Sequence, residues 1–185
     1  CLCDGKQYDE KHNTIGKVFN DLDFSAIKLF KCLNIPVVLL TSDGFNFGLA
    51  NKRHLDIFSG SPDGTGRIDK LTAYEKIKIA YNVIDDEVAY LGDDRFDLPV
   101  LEKEIWAFCP SNSPKCVKDV CTVVLNGRSG QNLVSEMFEW FLDKEIVVEP
   151  RLDDLIRIDF EEGHSRWDFP RNATHQRFDT YSNLQ

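Results

Sequence analysis

The sequence predicts an α/β domain: a doubly wound parallel sheet with a small β-hairpin flap near the N-terminus. Two observations carry this. Short continuous apolar runs recur along the chain, each bounded by polar or turn residues, which is the profile of strands buried on both faces. Between them lie segments whose apolar residues repeat at helical spacing, and buried strands alternating with helices imply right-handed crossovers and a parallel sheet. With 185 residues, 42% hydrophobic and 29% charged, the chain can build an ordinary core and is not a disordered polymer.

The elements follow in order. Lys6-Gln7-Tyr8 and Lys17-Val18-Phe19 flank a polar stretch that ends in Gly16, so 6–20 reads as the hairpin. Leu22, Ala26, Ile27, Leu29, Phe30 and Leu33 mark a helix. Pro36 to Leu40 is the first buried strand, closed by Thr41-Ser42-Asp43-Gly44, and a weaker strand covers Leu55 to Phe58. Leu71, Tyr74, Ile77, Ile79 and Tyr81 mark the next helix. Val88–Leu91, Ile105–Phe108 and Cys121–Leu125 are further strands, and Leu133, Val134, Met137, Phe138 and Phe141 form the last helix. The rhythm then stops, so the domain is assigned to 1–143 and a tail to 144–185. That tail carries a strand-like run at Leu155–Phe160 and the aromatic residues Trp167, Phe169, Phe178 and Tyr181. It either packs on the domain or reaches a neighbouring subunit.

Charge narrows the function classes. Thirty-one acidic against 22 basic residues leave a net charge of −9. Such a chain is repelled by phosphate backbones and anionic lipid, which argues against nucleic-acid and membrane-surface partners. A small anionic substrate remains open where a local cation or metal receives it. No apolar run approaches the ~20 residues of a membrane span. The opening Cys1-Leu2-Cys3-Asp4-Gly5 has neither the basic start nor the apolar stretch of a signal peptide, and none is expected. The six cysteines show no zinc-ligand spacing. They read as free thiols in a reducing, cytoplasmic compartment.

In open α/β sheets ligands bind beyond the carboxyl ends of the strands, and two strand ends here are polar. One is Thr41-Ser42-Asp43. The other is Gly92-Asp93-Asp94-Arg95-Phe96-Asp97, in which three carboxylates within five residues form a hard oxygen cluster suited to Mg²⁺. The competing reading is an acidic loop whose Asp94 and Asp97 cap the next helix. Between these stations stands Asp69-Lys70 at a helix start. A lysine there opposes the macrodipole preference, so it points to solvent or answers an anion.

Taken in order, a strand-terminal Thr/Ser, a lysine opening a helix and a G-D-D-x-x-D loop resemble the haloacid dehalogenase (HAD) superfamily of phosphatases and its Rossmann-like core. Asp4-Gly5, Tyr8, Phe19-Asn20 and Asp23 are similar to its capless branch, which includes 3-deoxy-manno-octulosonate 8-phosphate phosphatases and the C-terminal domain of CMP-acylneuraminate synthetases. That branch runs D-x-D-G-x-x-x-D-G-x-x-Y, F-N-x-x-D, T-G-R, a lysine, then G-D-D-x-x-D-x-P. Thr41, Lys70, Gly92-Asp93-Asp94, Asp97 and Pro99 continue the match, as do Cys109-Pro110-Ser111-Asn112 and the Gly127-Arg128-Ser129-Gly130 turn before Glu136. The resemblance spans residues 4 to about 142. It implies a Mg²⁺-dependent phosphomonoesterase acting on a sugar-acid phosphate or similar small phosphate ester. Thr41, Lys70 and Asp97 would be its catalytic residues, Ser42 and Arg128 substrate contacts, and Asp93 and Asp94 metal ligands. It also implies a homo-oligomer, a tetramer in which the hairpin and the tail reach adjacent subunits.

The pattern also breaks. The branch's D-x-D-G carboxylates belong upstream of Asp4-Gly5, on a strand lying centrally between those that end at Thr41 and Gly92. A segment preceding Cys1 is therefore expected. The alternatives are a tail run, Asp153–Phe160, that supplies the strand by circular permutation, and a degenerate domain that pairs its sheet in some other way. The alternative function is a non-catalytic oligomerisation module of the kind fused to CMP-acylneuraminate synthetases. Asp43 stands where T-G-R has its arginine, Ser42 where it has glycine, and Phe24 follows Asp23 where the branch has glycine. Lys52 or Arg53 either compensates for the lost cation or is plain surface charge.

Overall fold

The computed structural model describes residues 1–41, 43, 45–59, 69–103 and 105–167. Ser42 and the tail aromatics Phe169, Phe178 and Tyr181 lie outside the described residues, as does the side chain of Trp167.

The chain opens with a hairpin, β1 (Cys3–Tyr8) and β2 (Thr14–Phe19), paired antiparallel with Lys6 opposite Lys17 and Tyr8 opposite Thr14. Asp9 organises its turn. The Asp9 carboxylate accepts the backbone N–H of Lys11 at 2.9 Å and of Asn13 at 2.8 Å, and His12 takes the left-handed conformation at φ 62°. The strands begin three residues earlier than the expected boundary at residue 6.

Helix α1 (Asp21–Cys32) is started by Asn20, whose side chain accepts from Leu22 N, and it buries Phe24, Ala26, Ile27 and Phe30. There follow β3 (Val38–Thr41), α2 (Phe45–Arg53), β4 (Asp56–Ser59) and α3 (Lys70–Tyr81). Asp69 caps α3 by accepting from Thr72 N at 2.8 Å, which places Lys70 at the first helical position. Next come β5 (Ala89–Leu91), α4 (Leu98–Leu101), β6 (Trp106–Cys109), α5 (Lys115–Lys118), β7 (Val123–Val124), α6 (Leu133–Asp143) and α7 (Leu152–Trp167).

All sheet pairings after the hairpin are parallel: β3 with β4, and β5 with β6 with β7. The strand β6 shows why its run is apolar throughout. Phe108 faces a cluster with Phe30, Leu133, Phe138 and Phe141 from α1 and α6, while Ala107 and Cys109 face Tyr74, Val100, Leu101 and Val117 from α3, α4 and α5. Helices thus cover both faces, as in a doubly wound sheet. Edge-on aromatic contacts tighten the first cluster, with Phe30 and Phe138 centroids 5.0 Å apart. Among the described residues no ladder joins β3 to β5. Leu2 and Leu39 pack against one apolar cluster and Cys1 and Leu91 against another, and the Cys1 carbonyl accepts from Gly130 N at 2.7 Å.

The tail overturns one expectation. Leu155–Phe160 is not a strand but part of α7, so it supplies no sheet strand by permutation. Leu155, Ile158 and Glu162, three of its buried or half-buried positions, recur at helical spacing. The helix is held by ion pairs to the α1 and α2 surface: Lys28 to Asp159, Lys28 to Glu162 at 3.2 Å and Arg53 to Glu162 at 3.6 Å. This also gives Arg53 its place, against α7 and over the Phe24 ring at 4.0 Å. All six cysteines are free thiols. Among the described residues no helix is long and apolar enough to cross a membrane.

Candidate active site

The carboxyl ends of β3, β5, β6 and β7 and the start of α3 build the candidate site. The loop after β5 is organised around Asp97. A side chain at Gly92 would put a Cβ 2.7 Å from Asp97 Cβ, so glycine is what lets the strand end close over Asp97. Asp97 is 1% exposed, and its carboxylate is fully occupied. One oxygen accepts from Lys70 Nζ and from the Tyr90 hydroxyl at 2.6 Å; the other accepts the backbone N–H of Asp93 at 3.2 Å and of Asp94 at 3.1 Å. Burial first, and then the Asp97 charge, pushes the Tyr90 phenol far up, so it remains a donor. Asp97 therefore shapes the loop and anchors the Lys70 ammonium at once.

Asp93 is half-buried, and its Oδ2 lies 2.8 Å from the Cys1 backbone nitrogen and accepts from the Ser129 hydroxyl at 3.0 Å. Asp94 is exposed and caps the turn that follows, accepting from Arg95 N at 2.6 Å. The capping and metal-cluster readings of this loop thus separate. Asp94 and Asp97 serve the backbone and Lys70, and among the described residues no three His, Cys, Asp or Glu side chains gather as a metal site. Mg²⁺ takes about six oxygen ligands. The described side chains alone do not fit that demand, and Asp93 is the one expected metal ligand whose side chain is not committed to capping.

Thr41 ends β3, its hydroxyl oxygen accepting from Asp43 N at 3.1 Å and from Asn46 Nδ2 at 2.9 Å. Thr41 and Lys70 each adjoin a residue of one apolar cluster, Leu40 and Leu71, which also contains Tyr90. Asp43, the acidic residue standing in place of an arginine, is paired with Lys17 of β2 at 2.8 Å. Arg128 is exposed in the loop after β7. In that loop Ser129 N donates to Asn112 Oδ1 at 3.1 Å, which ties the β6 and β7 ends to Asp93 through Ser129. Glu136 accepts the N–H of Asn126 and of Gly127, both at 2.8 Å, and so shapes the turn.

Sequence reasoning missed Lys17, Asn46, Tyr90 and Ser129. Tyr90 had a legible signal, an aromatic hydroxyl in a buried strand that needs a partner. The other three meet their partners only through the fold. Asp23, matched by the resemblance, is fully buried and caps α6 from α1, accepting from Val134 N at 2.7 Å.

The comparisons agree with this architecture. No family model matches the sequence. The chain is 26% identical over 144 residues, 78% of each chain, to the 3-deoxy-D-manno-octulosonate 8-phosphate phosphatase KdsC of Haemophilus influenzae. A protein of Legionella pneumophila, assigned to subfamily III A of the HAD superfamily hydrolases, superposes with a TM-score of 0.71. The match covers 86% of this chain and 84% of that one at 23% identity. The 3-deoxy-D-manno-octulosonate 8-phosphate phosphatase of Moraxella catarrhalis, solved with magnesium, phosphate and KDO, superposes with a TM-score of 0.66 at 22% identity. That match covers 77% of this chain and 80% of that one. The parallel α/β fold with this rim matches the fold of HAD-like structures. In sequence the chain is similar to a phosphatase of the KdsC type, and in fold to a structure assigned to subfamily III A.

Proposed function

We propose that the protein is a phosphomonoesterase acting on a small phosphate ester, with a sugar-acid phosphate as the substrate class. The observation that carries this is Lys70, a cation fixed at the strand-end rim by a buried carboxylate that makes three further hydrogen bonds. A lysine held in this way meets a phosphoryl group without reorganising, which is how a preorganised charge lowers a transfer barrier. Thr41 donates a hydrogen bond to the phosphoryl oxygens. Asp97 positions Lys70, and Ser42 and Arg128 contact the rest of the substrate. Phosphatases on the same branch, one of them solved with magnesium and phosphate, support the substrate class. Asp93 is the residue assigned to a divalent ion, with Asp94 beside it on the same loop.

The test is release of inorganic phosphate from 3-deoxy-manno-octulosonate 8-phosphate and a panel of sugar phosphates by the natural full-length protein. Chelation with EDTA reports the metal requirement in the same assay. Lys70→Ala is expected to lower kcat/KM by about 10²–10³, the loss typical of one transition-state charge contact. Asp97 keeps its bonds to Tyr90 and the two backbone N–H groups in that variant, so the fold persists. Failure of the wild-type protein to hydrolyse any phosphate ester overturns the reading.

A second reading, a homo-oligomeric module valued for its contacts, is favoured by the hairpin. Tyr8 is 55% exposed, Ile15 63% and Val18 49%, with Leu22 nearby in sequence at 56%. Apolar side chains this exposed on one small element suit a contact with a neighbouring subunit. The tetramer implied by the resemblance belongs to this reading.

A further inference from the structure

We propose that Asn46 and Lys17 are positioning residues that commit the Thr41 hydroxyl to donating its proton outward to an anion. The proposal rests on the phosphate-binding reading above and deepens it. Its ground is the direction of each hydrogen bond in a short chain.

Lys17 Nζ lies 2.8 Å from Asn46 Oδ1 and 2.8 Å from the Asp43 carboxylate, with the Lys17 side chain only 4% exposed. An ammonium has protons to give and no lone pair to offer. The Asn46 amide must therefore turn its oxygen to Lys17 and its NH₂ to Thr41, and the Asn46 Nδ2 to Thr41 Oγ1 distance of 2.9 Å is a bond that Thr41 accepts. The backbone N–H of Asp43 fills the second acceptor position of the same oxygen at 3.1 Å. A hydroxyl accepts two bonds and donates one. With both acceptor positions filled, donation is what remains, and among the described residues no acceptor takes that proton. Thr41 therefore presents an oriented donor at the strand end. The orientation is set by Lys17, a lysine on the hairpin.

Asn46→Asp separates this role from a structural one. The new side chain has the same shape and keeps the contact with Lys17, so the protein stays folded with its thermal midpoint near that of the wild type. The oxygen now facing Thr41 can only accept, however, and it draws the Thr41 proton inward. Binding of inorganic phosphate to the full-length protein, followed by calorimetry, is expected to weaken about ten- to a hundredfold, the range for one hydrogen bond to a charged group. Thr41→Val should weaken it to the same extent, and the double variant should be no weaker than either single one. Thr41→Ser, which keeps the hydroxyl, should retain binding.

Wild-type affinity in folded Asn46→Asp overturns the inference while leaving the phosphatase reading intact. So does an equal loss from Asn46→Asp in the Thr41→Val background, since the effect is then charge repulsion alone. A wild-type protein that binds no phosphate overturns both.

Discussion

Asp23 and Asp97 are both buried carboxylates in motif positions, and the structure gives them different work. Asp97 is saturated by four donors, one of them cationic. Asp23 spends one oxygen on the first turn of α6, at 2.7 Å from Val134 N and 3.4 Å from Ser135 N, while its second oxygen is buried without a hydrogen-bond partner among the described residues. Burial raises its pKa from the ordinary 3.8, against the pull of those backbone donors. The linkage sign follows. A folded-state pKa above the unfolded one means that the folded protein binds more protons between the two values. The Asp23 contribution to stability is therefore full below pH 3.8 and is lost as pH rises through the folded-state pKa. Asn at this position keeps the accepting oxygen and buries no charge. Asp23→Asn should match or exceed the wild-type urea midpoint at pH 7 and lack this part of its pH dependence, whereas Asp23→Ala should lose the cap and about 0.5–2 kcal/mol. A midpoint for Asp23→Asn well below that of the wild type at pH 7 would show that the ionised form is needed.

Helix α7 shows how an element's identity can hide in its sequence. Leu155, Arg157 and Asp159 alternate with Ile156, Ile158 and Phe160, so the run can be read at a strand's period as well as a helix's. Arg157 lies 3.8 Å from Asp154 and 3.2 Å from Glu161. Such pairs at helical spacing are each worth only a few tenths of a kcal/mol, so tertiary docking decides the outcome. The side chain of Glu162, 5% exposed, is the centre of that docking, between Lys28 and Arg53. Removing one partner of a buried pair costs about 3–5 kcal/mol, and less is expected here because Lys28 retains Asp159. Glu162→Ala should release α7 locally: amide exchange over 152–167 should accelerate while α6 keeps its protection. Unchanged exchange in α7 would mean that apolar contacts alone hold the helix.

For the molecule as a whole, the exposed apolar hairpin and the strand-end rim make separate demands. If the hairpin seats a second copy of the chain, Ile15→Glu and Val18→Glu should each lower the mass found by light scattering while circular dichroism stays unchanged. An assembly that persists in both variants would place the interface elsewhere. The candidate site itself draws on five elements, and its legibility follows that distribution. The G-D-D-x-x-D loop is local, so Asp97 could be read as a partner for backbone from spacing alone, whereas its tie to the lysine is implied only by the resemblance. Its hydrogen bonds to Asp93 and Asp94 span only four and three residues. The ties of Lys17 to Asn46 and of Ser129 to Asp93 span 29 and 36 residues, and nothing in their local sequence marks them.

What the amino-acid order determined by itself was the α/β class, the strands β3, β5 and β6, the helices α1, α3 and α6, and a polar rim beginning at Thr41 and Gly92. All of these rest on periodicity, capping and turn chemistry, which act over a few residues. Tertiary structure alone decided that α7 is a helix, that Asp97 receives Lys70, that Asp43 is answered by Lys17, and which way the Thr41 proton faces. Each of these is a choice between partners distant in sequence. A buried polar group takes whichever donor or acceptor the packed chain brings within about 3 Å, because leaving it unpaired costs more than any local preference supplies.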